Sequence, residues 1–361
     1  MPRVLLSGYY GFGNLGDEAL LEVILDRLRA RFPSARLEVL SASPKLTASQ
    51  HRVETALRSD WREVRAAIAR SDVVVSGGGG LLQNATSTRS LLYYAGILRE
   101  AIRRRRKTML FAQSIGPLDY WGRLIVRQFC KGLDRATVRD ERSQRLLHEL
   151  LPATPVEQTA DPVFLYDAAD EAIDLSSEGL GPESGPYAIV SVRKAPALRD
   201  APSAVARIVD RLASDHAIRA AFLPLGGAAD AAASTDVIRL CKSNPVLLPE
   251  CTLRTAASML RGARVVVGMR LHSLILAARY AVPFLAIAYD PKVSALCQDI
   301  AYPLPPLYGE VKRPGDDVLD ALADRLVRER DVLAGFLTQR RPALETAAGR
   351  NFDVLGELLG E

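Results

Sequence analysis

Cysteine and histidine are scarce in this chain of 361 residues, with four of each. Cys130, Cys241, Cys251 and Cys297 stand apart, with no C-x-x-C pair, and His51, His148, His216 and His272 show no metal-ligand spacing. That pattern argues against a disulfide framework and against a metal site. Long apolar runs are also missing: nothing approaches the roughly 20 residues that a helix needs to cross a bilayer. No cleavable leader pattern precedes the first strand-like run, Arg3 to Ser7, so a cytoplasmic protein is expected. A net charge of +5 is too mild at this length to indicate a nucleic-acid partner. No short internal repeat is present.

What is there is the composition of a soluble globular protein, 48% hydrophobic and 25% charged, long enough for two domains. Short apolar strands alternate with helix-length segments, the signature of parallel sheets covered by helices. The N-terminal half offers strands at Arg3–Ser7, Arg36–Ser41, Asp72–Ser76, Thr108–Ala112 and Arg135–Val138. Helices are predicted near Asp17–Arg31, Trp61–Arg70, Leu91–Arg106, Trp121–Leu133 and Arg142–Leu150. Residues 168–186 are acidic and rich in Gly, Ser and Pro, and read as a linker. The alternation restarts with strands at Tyr187–Val192, Ile218–Leu223, Pro245–Leu248, Arg264–Gly268 and Pro283–Ala288. The expectation is therefore two doubly wound α/β domains, at 1–167 and 187–330, and a helical tail at 331–361. Ligands of such sheets bind beyond the carboxyl ends of the strands, which places the site in the cleft between the domains.

The segment Gly268-Met269-Arg270-Leu271-His272-Ser273 puts an arginine and a histidine where a buried strand gives way to the apolar helix Leu271–Tyr280. A helix start already presents unpaired N–H groups and partial positive charge, so these side chains describe an anion site. The bland reading is that Arg270 pairs with a carboxylate and His272 is a capping residue. On the opposite wall, Gly11-Phe12-Gly13-Asn14-Leu15-Gly16 matches the G-x-G-x-x-G dinucleotide fingerprint after a strand. The match is weak. Asp17 and Glu18 follow at once and would repel a pyrophosphate, and no acid ends the second strand, where Glu38 lies inside. A loop that admits a polar acceptor, with Asn14, Asp17 and Glu18 as polar or basic groups, fits better. A second glycine run, Gly77 to Gly80, also ends a strand. Gln83 and Asn84 beyond it, and Gln113 with Ser114, are candidate contacts to sugar hydroxyls.

These residues resemble the polysaccharide pyruvyl transferases, and among them the CsaB type that acts on secondary cell-wall polymers. The resemblance is carried by Gly8 to Glu18, Ser76 to Gly80, Gln113-Ser114-Ile115-Gly116-Pro117, Arg139-Asp140, Ala160-Asp161-Pro162, Met269 to His272 and Tyr289 to Val293. It implies a fold like the two-domain B-type glycosyltransferases, phosphoenolpyruvate as donor, and a pyruvate ketal on a sugar as product. It also implies an acceptor carried on a lipid, with β-ManNAc as the expected sugar, and no resident cofactor. By that resemblance Arg139, Arg270, His272 and Lys292 hold the donor, and several cationic groups are what its phosphate and carboxylate require. The acceptor side is Tyr10, Phe12, Asn14, Gly78, Gly79, Gln83 and Gln113, with Arg193.

Ketal formation needs a proton on the enol methylene carbon and attack by two sugar hydroxyls, with loss of phosphate. His272 is the candidate acid, since an imidazole ordinarily titrates near neutrality, and Asp17 or Glu18 is the candidate base. Lys194 and Ala195 stand where similar sequences carry proline and an aromatic residue, which touches acceptor recognition and leaves donor binding unaffected. The basic run Arg103 to Lys107 reads as a solvated helix end or as a contact with anionic membrane. The main rival is a nucleotide-sugar glycosyltransferase of the same architecture. Such an enzyme places a glutamate on the nucleotide ribose near the helix where this chain has Arg270 and His272.

Overall fold

The computed structural model describes residues 1–167, 176, 180, 185–309 and 314–360. The chain divides into two compact units, Met1–Leu165 with Leu344–Glu361, and Tyr166–Ala343. Most of the segment 168–186, read as a linker, lies outside the described residues.

In the first unit the strands are β1 (Arg3–Ser7), β2 (Arg36–Ser41), β3 (Glu54–Leu57), β4 (Val73–Gly79), β5 (Lys107–Gln113), β6 (Arg135–Val138) and β7 (Val156–Gln158). They form one parallel sheet in the order β3-β2-β1-β4-β5-β6-β7. Its helices are α1 (Leu15–Arg31), α2 (Pro44–His51), α3 (Trp61–Arg70), α4 (Thr88–Arg103), α5 (Tyr120–Phe129) and α6 (Glu141–Leu150). Both faces of the sheet are covered, so the central strands read as unbroken apolar runs and all seven residues of β4 are buried. The order reverses between β1 and β4, where Ser7 pairs with Ser76. The loops after these two strands therefore leave the sheet side by side at a topological switch point.

The second unit repeats the plan with β8 (Tyr187–Ser191), β9 (Arg219–Phe222), β10 (Val246–Leu247), β11 (Val265–Gly268) and β12 (Phe284–Ala286), in the parallel order β10-β9-β8-β11-β12. Around them lie α7 (Ala201–His216), α8 (Ala228–Ile238), α9 (Leu253–Gly262), α10 (Leu271–Arg279), α11 (Pro291–Asp299) and α12 (Asp316–Arg328). Here the switch falls between β8 and β11, where Gly268 pairs with Ser191. The loops carrying Arg193 and Arg270 thus start from adjacent strand ends. Helix α12 is fastened to α7 by a ladder at four-residue spacing: Arg207 donates to Asp316 and Asp320, and Arg211 to Asp324. Arg211 first and His216 second hold the Asp324 carboxyl well below the usual range.

The last helix, α13 (Arg330–Leu359), contributes its end to the first unit. Phe352, Val354 and Leu355 join the core beneath β1, and Phe352 meets Phe111 edge-on at 5.1 Å. Asn351 is buried there, donating to the Ala160 carbonyl and accepting from Thr159. A helical tail was expected, but its place in this core is not readable from its own pattern.

Candidate active site

At the first switch point the loop after β1 folds back on the start of α1. Gly11 has φ +79°, and a Cβ there would run into Ser41. Its N–H donates to Glu18 Oε1 at 2.8 Å, and the Phe12 and Gly13 amides are directed at the same carboxylate. The loop's amides therefore face the chain's own carboxylate, where a pyrophosphate cradle would need them free. Burial pushes the Glu18 carboxyl above its usual range and Asp17 adds to the shift, while the three amides oppose it. Asn14 caps α1, its side chain accepting from Gly16 N at 3.1 Å.

Two neighbouring aromatic residues of the loop go opposite ways. Tyr10, expected on the acceptor side, is buried and donates its hydroxyl to the Gly77 carbonyl at 2.8 Å. Tyr9 and Phe12 are instead 39% and 45% exposed, with rings stacked at 4.1 Å and 13°. The Arg58 guanidinium lies 4.7 Å over Phe12 and donates to Tyr94 at 3.0 Å. Sequence reasoning passed over Tyr9 and Arg58, because nothing in a run of three aromatics and glycines tells which ring turns inward.

The glycine run ends β4 against α1, where a Cβ on Gly79 would come within 3.2 Å of Asp17 Oδ1 and one on Gly78 would meet the Leu20 side chain. Gln113 lies beneath it, fully buried, donating Nε2 to the Ser76 carbonyl and hydroxyl at 2.8 Å. Its Oε1 is buried with no hydrogen-bond partner among the described residues. Gln83 folds over its own loop, donating to Thr86 Oγ1 and accepting from Thr86 N. Arg139, expected to reach out from the end of β6, turns inward. Its side chain is only 6% exposed and bonds to Ser114 and to Asp161, which is buried too, because a carboxylate at that depth requires a cation.

In the second unit α10 opens directly after β11. Arg270 stands at its N-cap and no acid occupies its first turn, so the helix start is electrostatically open to an anion. Arg270 donates Nε and Nη2 to Asp230 of α8 at 2.6 and 2.5 Å, and a Cβ at Gly226 would collide with the guanidinium. The bland expectation, that Arg270 pairs with a carboxylate, is what the geometry shows, although Asp230 is a buried partner and not a surface one. His272 follows in the first turn, half-buried. After β12, Asp290 caps α11 and brings Lys292 Nζ to 5.9 Å from the Tyr289 ring. Arg193 meets the same ring from the β8 loop, at 4.9 Å, and donates to the Tyr289 hydroxyl at 3.2 Å. The structure thus joins Arg193, assigned to the acceptor, with Lys292, assigned to the donor, and Tyr289 is the residue that gathers them.

The basic run has local partners. Arg104 donates to Glu100, Arg106 to the Ala69 carbonyl and Lys107 to the Leu358 carbonyl. Among the described residues no group of three His, Cys, Asp or Glu side chains is placed to hold a metal ion, and no helix is long and apolar enough to cross a membrane.

The sequence description of the polysaccharide pyruvyl transferases matches residues 14–291. The chain belongs to that family. It is therefore a transferase, and the matched span includes the glycine run, the Arg139 and Asp161 pair, the start of α10 and the Arg193 and Tyr289 contact. No curated protein matches the chain. Among solved structures it is similar to the S. aureus MnaA–UDP co-structure (TM-score 0.67, 10% identity, 99% of this chain and 97% of that one). It is also similar to a glycosyltransferase from Rickettsia africae (TM-score 0.67, 8% identity, 100% and 99%). A third is the Neisseria meningitidis UDP-GlcNAc 2-epimerase bound to UDP-GlcNAc (TM-score 0.65, 10% identity, 99% and 100%). At these identities the likeness is one of fold, and it makes this pyruvyl transferase a pair of parallel-sheet α/β domains like those of B-type glycosyltransferases.

Proposed function

We propose that this pyruvyl transferase is of the CsaB type, moving the enolpyruvyl group of phosphoenolpyruvate onto a lipid-linked cell-wall sugar, β-ManNAc, as a ketal. The observation that carries the reading, beside the family match, is the convergence of Arg193 and Lys292 on Tyr289 at the same sheet edge as the open start of α10. A compact dianionic phosphate with a carboxylate beside it suits two cations, Arg193 held by Tyr289 and Lys292 beside Asp290, and a helix terminus. Arg270 and Arg139, already neutralised by Asp230 and Asp161, fix the loops on which they stand.

His272 gives its proton to the methylene carbon, which becomes the methyl group. One sugar hydroxyl adds to the resulting cationic centre and loses its proton to Asp17, whose carboxylate lies against Gly79. The second hydroxyl adds as the C–O bond to phosphate breaks, and its proton leaves with the phosphate. Glu18, committed to the loop amides, fastens the acceptor wall. The exposed Tyr9 and Phe12 rings offer a platform for the apolar face of a sugar. The cationic groups supply the charge neutralisation, so no divalent metal or cofactor is invoked. The protein works in the cytoplasm, at the inner face of the membrane where a lipid-linked acceptor is presented.

Phosphate release from phosphoenolpyruvate, measured with and without a β-ManNAc acceptor and with EDTA, tests this. Release that requires the acceptor and survives EDTA supports it. The UDP-bound neighbours favour one alternative, a nucleotide-sugar glycosyltransferase, and acceptor-dependent release of UDP from a UDP-sugar would put that reading in its place.

A further inference from the structure

The second unit contains an open cavity of about 340 Å³ that shares Arg193 with the proposed donor site and is otherwise unused by the proposed chemistry, at the lower end of the size range of small-molecule sites. It exists because of composition. Helix α8 presents Ala229, Ala232 and Ala233 toward Ala201 and Val205 of α7, and side chains this short leave the space between the helices unfilled. Met269 adds to the apolar wall.

Its polar lining is of one kind. Among the described residues no serine, threonine, asparagine, glutamine or aromatic side chain faces the space, so they offer neither the hydroxyl contacts of a sugar site nor the stacking surface of a nucleotide base. The polar side chains are all charged: Arg193, Lys194 and Arg199 on the loop between β8 and α7, against a single acid, Asp236, which is itself 3.4 Å from Arg239. Arg193 continues to Tyr289 and so to Lys292. A hydrocarbon chamber with a cationic loop beside it is complementary to an amphiphilic anion.

We propose that this cavity binds the hydrocarbon segment of a lipid phosphate or diphosphate, with the head group on Arg193, Lys194 and Arg199. The inference rests on the proposed function only in taking the acceptor's lipid carrier as the source of that ligand. Burying a few methylene groups is worth at least a tenfold gain in affinity, which sets the scale of the test.

Calorimetric titration of the whole protein with farnesyl diphosphate, inorganic diphosphate, farnesol, UDP and phosphoenolpyruvate separates the contributions. Farnesyl diphosphate is expected to bind at least tenfold more tightly than inorganic diphosphate or farnesol. Ala232→Leu, which fills the chamber, is expected to bring it down to the level of inorganic diphosphate, whereas Arg199→Gln weakens both diphosphates. Should Ala232→Leu lower the melting temperature, Ala233→Val gives the same reading with a smaller side chain. Farnesyl diphosphate binding no better than inorganic diphosphate, UDP binding more tightly than either, or wild-type farnesyl diphosphate affinity in both folded cavity variants would overturn the proposal. Failure of phosphoenolpyruvate to bind, with the farnesyl diphosphate pattern intact, would sink the donor reading and leave the cavity's ligand standing.

Discussion

Arg270 and Asp230 form a two-bonded ion pair, with Asp230 buried and Arg270 at the N-cap of α10. The pair ties the helix that carries His272 to α8, forty residues earlier. Taking one partner away strands a buried charge, at a cost of about 3–5 kcal/mol, whereas an apolar replacement of both avoids that penalty. Asp230→Ala is therefore expected to destabilise the second unit by that amount in urea unfolding, and Arg270→Met with Asp230→Leu by clearly less. Equal losses in the single and double variants would show that the pair is not the fastening it is taken to be.

Lys292→Ala and Arg193→Ala should each raise the dissociation constant of phosphoenolpyruvate about tenfold or more, since each removes a charge-assisted contact worth about 1.5–3 kcal/mol. Tyr289→Phe, which deletes only the hydroxyl that Arg193 reaches, should have a smaller effect in the same direction. His272→Gln should behave differently: turnover drops by about 10²–10⁴ with donor affinity little changed. Calorimetric donor affinity beside single-turnover rates distinguishes the two patterns, and a His272→Gln enzyme with normal turnover removes this residue from proton transfer.

Tyr9→Ala and Phe12→Ala are expected to raise KM for the acceptor while leaving donor affinity alone. Tyr10→Phe reports on something else. It breaks a buried hydrogen bond to the Gly77 carbonyl and should cost about 1–3 kcal/mol of stability with acceptor KM nearly unchanged. Steady-state kinetics with thermal melts of the three proteins check the contrast, and a Tyr9→Ala enzyme with wild-type acceptor KM contradicts the platform.

Glu18 makes stability depend on pH in a defined direction. Its carboxyl is pushed above the usual range chiefly by burial, so the folded state holds the proton more tightly than the unfolded chain. The associated stability is present below the ordinary carboxylate range and is lost as pH rises through the folded-state value. Glu18→Gln keeps an oxygen for the Gly11 amide and has no proton to lose. The melting temperature of this variant relative to wild type should therefore rise from acid toward neutral pH, and a difference that falls over that range would contradict the assignment.

Much of this was legible in the residues. The alternation of apolar strands and helices placed β1, β2, β6 and α3 at their observed bounds, because strands buried on both faces announce themselves as apolar runs. Edge elements were missed. β3 has one buried residue in four, β7 is three residues long, and α2 has a single buried residue, so none carries a pattern. Within the site, motifs located the loops but not the direction of side chains. Tyr10 turns in and Tyr9 out, and Arg139 and Arg270 fold onto Asp161 and Asp230. Partners from distant parts of the chain decide such orientations, and no local pattern records them.

The central claim is that pyruvate is transferred from phosphoenolpyruvate through protonation of its methylene carbon. The most direct measurement is the reaction with a β-ManNAc acceptor in deuterium oxide, followed by mass spectrometry and proton NMR of the sugar product. A pyruvate ketal whose methyl group carries a single solvent deuteron is the predicted result. A product that gains a hexose from a nucleotide sugar, or that carries no pyruvate, would contradict the account.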